Sequence, residues 1–190
     1  FRFVDVKWHD GIVRVATTGY TGSGGVEIYL PNALAAPMWN ALLRSGEPHG
    51  LVPAGLGARD TLRLEKGYCL YGNDIDSTTN PIEAGLQWVV RLDKEDFIGK
   101  AALEHVVEEG ISRKLVGFRL LDRGIARSGY PVLVEGTPAG RVTSGTMSPS
   151  LKFAVGMAYI PVALAQPGAE FFVEIRGKAI PAVVLEMPFL

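Results

Sequence analysis

A glycine-rich stretch, TGYTGSGGVEIYL, runs from Thr18 to Leu30 and places one carboxylate, Glu27, directly after a turn. Glycines in such a run can cradle a phosphate, but a P-loop needs a Gly-Lys-Ser/Thr ending that enters a helix. A dinucleotide-binding turn also needs a following helix. Here a strand follows and no lysine is present, so both phosphate interpretations fail. What remains is a turn with glycines at positions of positive φ, and on an alternating strand alone Glu27 would simply face solvent.

A second group of charges lies in the segment PAGLGARDTLRLEKG. Arg59, Asp60 and Arg63 are spaced as neighbours on one helix, where an ordinary ion pair is the simplest interpretation. The two glycines inside this segment each cost about 1 kcal/mol relative to alanine in a helix. We therefore expect close packing or a ligand to offset that cost.

The other reactive side chains do not form a site. His9, His49 and His105 are scattered without metal-ligand spacing, and no Gly-x-Ser-x-Gly nucleophile turn is present. The acids of GNDIDSTTNP lack the glycine and the final acid of a calcium-binding loop. Cys69, within GYCLYG, is interpreted as a small buried hydrophobic residue. We predict no metal.

Composition narrows the function classes. The chain has 190 residues, 47% of them hydrophobic, and 19 basic residues against 20 acidic ones give a net charge of −1. A balance of this kind predicts neither a nucleic-acid partner nor a membrane partner. A single cysteine leaves no internal disulfide and suits a reducing compartment. The first residues, FRFVDVKWHD, lack Met and a signal pattern, so we expect a piece of a longer protein.

Residues 1–100 mix strands and helices. The sequence predicts a hairpin over His9-Asp10-Gly11 and a strand at GVEIYL. It predicts a helix at APMWNALLRSG with Pro37 in its first turn, and a second helix that begins after Pro53 and ends at Gly67. This pattern is typical of an α/β domain with a mixed or antiparallel sheet.

The rest of the chain has a different texture. Residues 101–112 are charged and helical and are interpreted as a connector. From residue 113 to 190 short apolar runs alternate with Gly, Pro and Ser, which is typical of a small antiparallel barrel. The fold class is therefore predicted as α+β: a partial α/β domain over 1–100, the connector, and a β-barrel over 113–190.

Four motifs together resemble one known family. TGYTGxxGVEI, LGARDTLRLEKGYCLYGNDID, TNPIEAGLQWVV and GRVTSGTMSPSLKFAVGMAYI resemble the T protein of the glycine cleavage system, the aminomethyltransferase. Their order and spacing match that family from Thr17 to Pro188. The resemblance implies transfer of the aminomethyl group carried on the lipoyl sulfur of H protein. Ammonia is released and the one-carbon unit passes to tetrahydrofolate, giving methylenetetrahydrofolate.

The same resemblance implies which residues hold the folate. Glu27 and Arg59 occupy the family's folate-binding positions, and Tyr71 and Trp88 are candidates to wall the pterin by stacking, or else are core residues. A carboxylate suits the flat N–H edge of a pterin. An arginine fork suits an acceptor-rich edge or a carboxylate of the folate tail, and the sequence does not say which of these Arg59 contacts.

Two departures from the family qualify these expectations. Ser23 and Gly24 stand where the family usually has Glu-Asp, but both are compatible with a turn. The family's catalytic Asp belongs to an amino-terminal half that this chain does not contain, and neither Asp74 nor Asp76 aligns with it. We therefore predict no catalytic residue in this chain and no activity without the missing half.

The family's three domains surround one folate site, and the first domain is discontinuous in sequence. A domain separated from its other segment exposes strand edges and apolar surface, so we predict that this chain alone is marginally stable or self-associates. The resemblance places the protein in the bacterial cytoplasm or the mitochondrial matrix.

Other members of the wider superfamily remain alternatives. These are an iron–sulfur assembly factor, or the folate domain of a sarcosine- or dimethylglycine-type dehydrogenase. LYGNDID and SPSL favour the glycine cleavage member, and the lone Cys69 lies in no iron–sulfur motif. A third alternative is a structural subunit that completes an enzyme with a separately encoded amino-terminal half.

Overall fold

A computed structural model describes residues 1–190, which divide into two compact units, Phe1–Arg63 and Leu64–Leu190. The first unit contains an antiparallel sheet of three strands in the order β1-β2-β3. Its strands are β1 (Phe3–Trp8), β2 (Gly11–Ala16) and β3 (Glu27–Tyr29). Trp8 pairs with Gly11, and His9 turns the chain with a φ of 50°. The predicted hairpin is confirmed.

The first unit also carries helix α1 (Asn32–Gly46), followed by a short 3₁₀ turn at Glu47–His49. The prediction that Pro37 lies in the first turn of this helix is wrong, because α1 begins at Asn32 and Pro37 lies inside it. The segment before Pro37 is Asn-Ala-Leu-Ala-Ala, whose helix propensity is high. Its Leu34 also packs over Gly11, where an added Cβ would lie 2.6 Å from the leucine Cδ1. These two effects extend the helix past a proline that removes one backbone donor.

Helix α2 (Leu56–Glu65) continues from the first unit into the second. Its position agrees with the predicted helix between Pro53 and Gly67, and Gly67 has the positive φ (67°) that ends helices. Beyond it lie a loop region with a 3₁₀ turn at Gln87–Val89 and helix α3 (Lys100–Glu109).

The remaining chain closes into a six-stranded antiparallel barrel with the strand order β4-β7-β6-β5-β8-β9. Its strands are β4 (Arg113–Leu120), β5 (Pro131–Val134), β6 (Thr137–Met147), β7 (Ala154–Pro161), β8 (Glu170–Ile175) and β9 (Lys178–Leu185). The barrel interior is filled by apolar side chains, among them Phe118 and Phe171, whose rings meet edge to face at 5.5 Å.

The α+β fold class with an antiparallel barrel is confirmed. The domain boundaries expected from the sequence, 1–100, 101–112 and 113–190, stay a prediction. The two compact units are grouped by contacts within the chain, which is a different criterion from a domain boundary. No helix here has both the length and the apolar character needed to cross a membrane.

Candidate functional site

Glu27 is the first residue of β3 and pairs with Ala16 of β2. Gly22, in the turn before it, has a φ of 70°, so that turn does use a glycine at positive φ. The Glu27 side chain is half-buried. The Thr18 hydroxyl donates to its Oε2, and the Tyr29 hydroxyl donates to the same oxygen at 3.2 Å. Both bonds end on Oε2, which leaves Oε1 able to accept from a ligand.

These contacts fix the charge of Glu27. The Thr18 hydroxyl is the main cause that lowers the pKa of Glu27 below its ordinary value. Partial desolvation opposes this, while the Tyr29 hydroxyl and the positive charge of Arg59 lower the pKa further. Glu27 is therefore a carboxylate at neutral pH.

Arg59 is exposed on α2 and has no carboxylate within ion-pair distance. Its guanidinium lies 4.9 Å from the ring centroid of Tyr20, a cation–π contact. The helical ion pair expected from the sequence forms between Asp60 and Arg63, at 2.6 Å, and does not include Arg59. The structure thus brings Glu27 and Arg59 into one region of the first unit, each with capacity left for a ligand.

Tyr71 and Trp88 belong to the second compact unit. Their side chains are 72% and 79% exposed, so neither is a core residue in this chain. Their assignment to the walls of a pterin site stays a prediction.

Sequence reasoning missed two partners in the first unit, Thr18 and Tyr20. Both lie within the TGYTG run that was interpreted only as a turn. Thr18 lies nine residues before Glu27. That separation follows neither the helix period nor the strand period, so no local pattern connects the two residues. The useful signal was a threonine and a tyrosine beside glycines, since a hydroxyl can donate to a neighbouring carboxylate and an aromatic ring can contact a guanidinium.

The structure also shows a buried carboxylate in the second unit that the sequence did not single out. Glu65 is 2% exposed. It accepts hydrogen bonds from the Ser148 hydroxyl and, at 3.1 Å, from the Ser150 hydroxyl. Ser148 in turn accepts from the Leu151 backbone N–H at 2.9 Å. The SPSL motif therefore anchors one loop of the barrel on the buried Glu65 carboxyl group.

Asp74 and Asp76 hold the GNDID loop in place. Asp74 accepts from the Leu70 backbone N–H at 2.8 Å and from the Ser144 hydroxyl at 2.9 Å. Its backbone carbonyl accepts from the Tyr159 hydroxyl at 3.0 Å. Asp76 accepts from the Thr78 hydroxyl and backbone N–H, and these bonds lower its pKa. Both acids are thus engaged in loop structure.

No group of three or more His, Cys, Asp or Glu side chains is placed to hold a metal ion. Cys69 forms no disulfide and packs against the cluster of Leu64, Leu115 and Met157, but it is half-buried, so its interpretation as a small buried hydrophobic residue holds only in part.

Comparison with known proteins assigns the chain and its fold to a class. Residues 1–94 match the family model "GCVT N-terminal domain", and residues 113–190 match "Glycine cleavage T-protein C-terminal barrel domain". The crystal structure of glycine cleavage system aminomethyltransferase T from Bartonella henselae superposes with a TM-score of 0.86 at 39% identity. That superposition covers 96% of this chain and 50% of the solved one.

Curated sequences agree with this class. The aminomethyltransferase of Halothermothrix orenii is 54% identical over 178 residues, which are 94% of this chain and 50% of the relative. That of Synechococcus elongatus is 52% identical over 176 residues, 92% of this chain and 46% of the relative. The chain belongs to the aminomethyltransferase family, the T proteins of the glycine cleavage system. It spans about half the length of the curated relatives it matches.

Proposed function

We propose that this chain is the carboxy-terminal half of an aminomethyltransferase that acts on the aminomethyl group carried by lipoylated H protein. The intact enzyme transfers the one-carbon unit to tetrahydrofolate, forms methylenetetrahydrofolate and releases ammonia. The chain supplies part of the folate site. The family membership and the paired capacity of Glu27 and Arg59 support this proposal.

The observation that carries the proposal is the state of the Glu27 carboxylate. It is ionised, half-buried, and bonded through Oε2 alone. Oε1 is free to accept from an N–H donor, and a pterin presents a flat edge of such donors. Because Thr18 and Tyr29 hold the side chain before any ligand arrives, little rotamer freedom is lost on binding.

Arg59 has the complementary chemistry. Its guanidinium is exposed and has no carboxylate partner within the chain, and its contact with the Tyr20 ring leaves its N–H donors available. It would donate to an acceptor-rich edge of the folate or to a carboxylate of its tail. Glu27 and Arg59 would then fix the orientation of tetrahydrofolate from two sides by opposite charges.

Proton transfer and activation of the aminomethyl group are assigned to residues outside this chain. Asp74 and Asp76 do not take this role, because their carboxyl groups accept hydrogen bonds that hold the GNDID loop in place. We therefore expect no turnover by this chain alone. We place the protein in the bacterial cytoplasm or the mitochondrial matrix, where Cys69 would stay reduced.

Calorimetric titration of tetrahydrofolate tests the proposal, with Glu27→Ala and Arg59→Ala beside the parent chain. Losing either charged partner is expected to cost about 1.5–3 kcal/mol, roughly tenfold or more in affinity. Glu47→Ala and Arg44→Ala are matched controls, since both residues are exposed and lie on or beside α1. Binding by the parent that neither site substitution weakens would refute the site.

If the parent chain alone does not bind, the titration is repeated after addition of an amino-terminal half. Binding that appears only then, and that Glu27→Ala weakens, supports a site completed by both halves. No binding by the reconstituted protein would end the folate hypothesis.

A further inference from the structure

One end of the barrel carries a groove unrelated to Glu27 and Arg59. Its cavity volume is about 580 Å³. The β4–β5 loop lines one side, and the start of β9 together with the β8–β9 turn lines another. Half-buried apolar side chains form its floor, and they are Ile125, Tyr130, Ile175 and Ile180.

The charged side chains around this floor are all cations. They are Arg123, Arg127, Arg176 and Lys178. Each is exposed, and none forms an ion pair within the chain. The adjacent acid, Asp122, accepts from the Arg123 backbone N–H at 2.6 Å. The chain as a whole has a net charge of −1, so this cluster is a local feature and does not reflect a generally basic protein.

The backbone holds these cations in place. Ile175 pairs with Lys178 across a two-residue turn, whose residues Arg176 and Gly177 have φ values of 52° and 76°. Positive φ at both positions matches the tight turn whose twist fits a hairpin. Arginine rarely adopts this conformation, so its presence there is not explained by turn preference.

The other side of the groove is tied to the barrel. The Gly129 N–H donates to the Val142 carbonyl at 2.9 Å, and the Val142 N–H donates to the Tyr130 carbonyl at 2.9 Å. A Cβ added at Gly124 would lie 3.0 Å from the Ile175 Cδ1, so the loop packs closely on β8. The groove is therefore formed before any ligand binds.

A matching turn at the opposite end of the barrel carries an acid in place of the arginine. The antiparallel register pairs Val132 with Val173, which places the β5–β6 turn away from the β8–β9 turn. That turn is also a two-residue turn with positive φ, but its first residue is Glu135. The two turns thus share one backbone conformation but carry opposite charges, and of the two only the turn with Arg176 lines the apolar groove.

We propose that this groove is a docking surface for an acidic segment of a partner protein that carries one apolar side chain. An apolar centre within a charged, solvent-exposed rim is the usual anatomy of a protein–protein contact. A site for a small anion would be expected to bury its donors, whereas all of these cations are exposed. The exposed Met147 at the edge adds an adaptable apolar contact. This surface does not depend on the folate proposal.

Fluorescence anisotropy with a defined probe tests the surface. The probe is a fluorescein-labelled synthetic peptide of glutamates around a single phenylalanine, titrated with the whole chain. Arg127→Glu combined with Arg176→Glu is expected to lower affinity by about tenfold or more, and added salt is expected to weaken binding by the parent. Arg44→Glu, on the exposed face of α1, is the charge-reversal control and should leave binding unchanged.

Two further arms separate the possible ligands. Replacing the phenylalanine of the peptide by alanine, or Met147 by Gln, should weaken binding if the apolar floor contributes. Equal binding of the peptide without phenylalanine, together with full competition by inorganic tripolyphosphate, would identify a small-anion site and overturn the proposal. No binding by the parent chain, or equal loss with Arg44→Glu, would overturn it as well. Circular dichroism of each variant checks that the barrel is intact.

Discussion

The barrel and the three-stranded sheet are both antiparallel, yet they differ in how many strand edges and apolar side chains they leave exposed. In the barrel every strand has two neighbours, so no backbone edge is left open. In the sheet, β1 and β3 each have one neighbour. Phe3 and Val4 point to opposite faces of β1 and are 64% and 56% exposed.

Burial shows the same contrast. Within Phe1–Arg63 the buried hydrophobic residues are Val13 and Ala16, and helix α1 has none. Trp39 of α1 is 52% exposed. The barrel instead contains a contiguous core that includes Phe118, Val142 and Val173 at 0% exposure. A closed barrel can therefore stabilise itself, whereas the sheet and α1 present apolar surface that further protein would cover. Marginal stability or self-association of the isolated chain stays our prediction.

The largest expected difference comes from the same truncation made in the two regions. Phe118→Ala in the barrel core should lower the free energy of unfolding by about 3–5 kcal/mol, because Phe118 is 0% exposed. Phe3→Ala should change it by less than about 0.5 kcal/mol. Hydrogen exchange measures both, on the β4 and β7 amides for Phe118→Ala and on the β1 and β2 amides for Phe3→Ala. Similar losses for the two variants would show that the contrast in burial does not control stability.

The second-largest effect is expected from alkaline pH, which should lower the stability of the barrel. Burial raises the pKa of Tyr159 to about 12, with a further contribution from the Glu83 charge, while Arg113 opposes the shift. A tyrosine with a raised folded pKa keeps its proton where the unfolded chain has lost it. Stability is therefore lost as pH rises from about 10 to about 12, by roughly 2–3 kcal/mol in all. Urea denaturation across this range measures the loss.

Tyr159→Phe is the control for that effect. It removes the titrating group together with the hydrogen bond from its hydroxyl to the Asp74 carbonyl. We expect a lower stability at pH 7, by about 1 kcal/mol, and a flatter profile between pH 10 and 12. A profile as steep as that of the parent would assign the alkaline loss to another group.

The sequence predicted the barrel better than the start of α1, and the reason is physical. The barrel strands are short apolar runs separated by Gly, Pro and Ser, which mark the turns, and their side chains alternate between the two faces of each strand. Both signals are local and are visible in the sequence. Strand order and closure depend on long-range pairing, which no local pattern reveals. The start of α1 was misplaced because the contact of Leu34 with Gly11 is tertiary, while the proline signal is local.

The candidate site was predictable to a similar extent. The resemblance pointed to Glu27 and Arg59, and helix spacing correctly indicated an ion pair on α2. Spacing did not decide which arginine would take it, because Asp60 has Arg59 beside it and Arg63 one turn away. Nor did it indicate that Arg63 would be 1% exposed, since charged residues are rarely buried. The convergence of two hydroxyls on one Glu27 oxygen depends on side-chain rotamers.

The smallest expected effect tests whether the pKa shifts in the two regions have different physical causes. Burial dominates at Tyr159, whereas a hydrogen bond from Thr18 dominates at Glu27. Thr18→Val should therefore raise the pKa of Glu27 towards its ordinary value. On acidification, the variant should then lose affinity for tetrahydrofolate at a higher pH than the parent chain does. Tyr29→Phe removes the weaker, 3.2 Å bond and should give a smaller rise. Carbon-13 NMR titration of the Glu27 carboxyl measures both shifts. An unchanged pKa in Thr18→Val would mean that exposure, and not the threonine hydroxyl, sets the charge of the site.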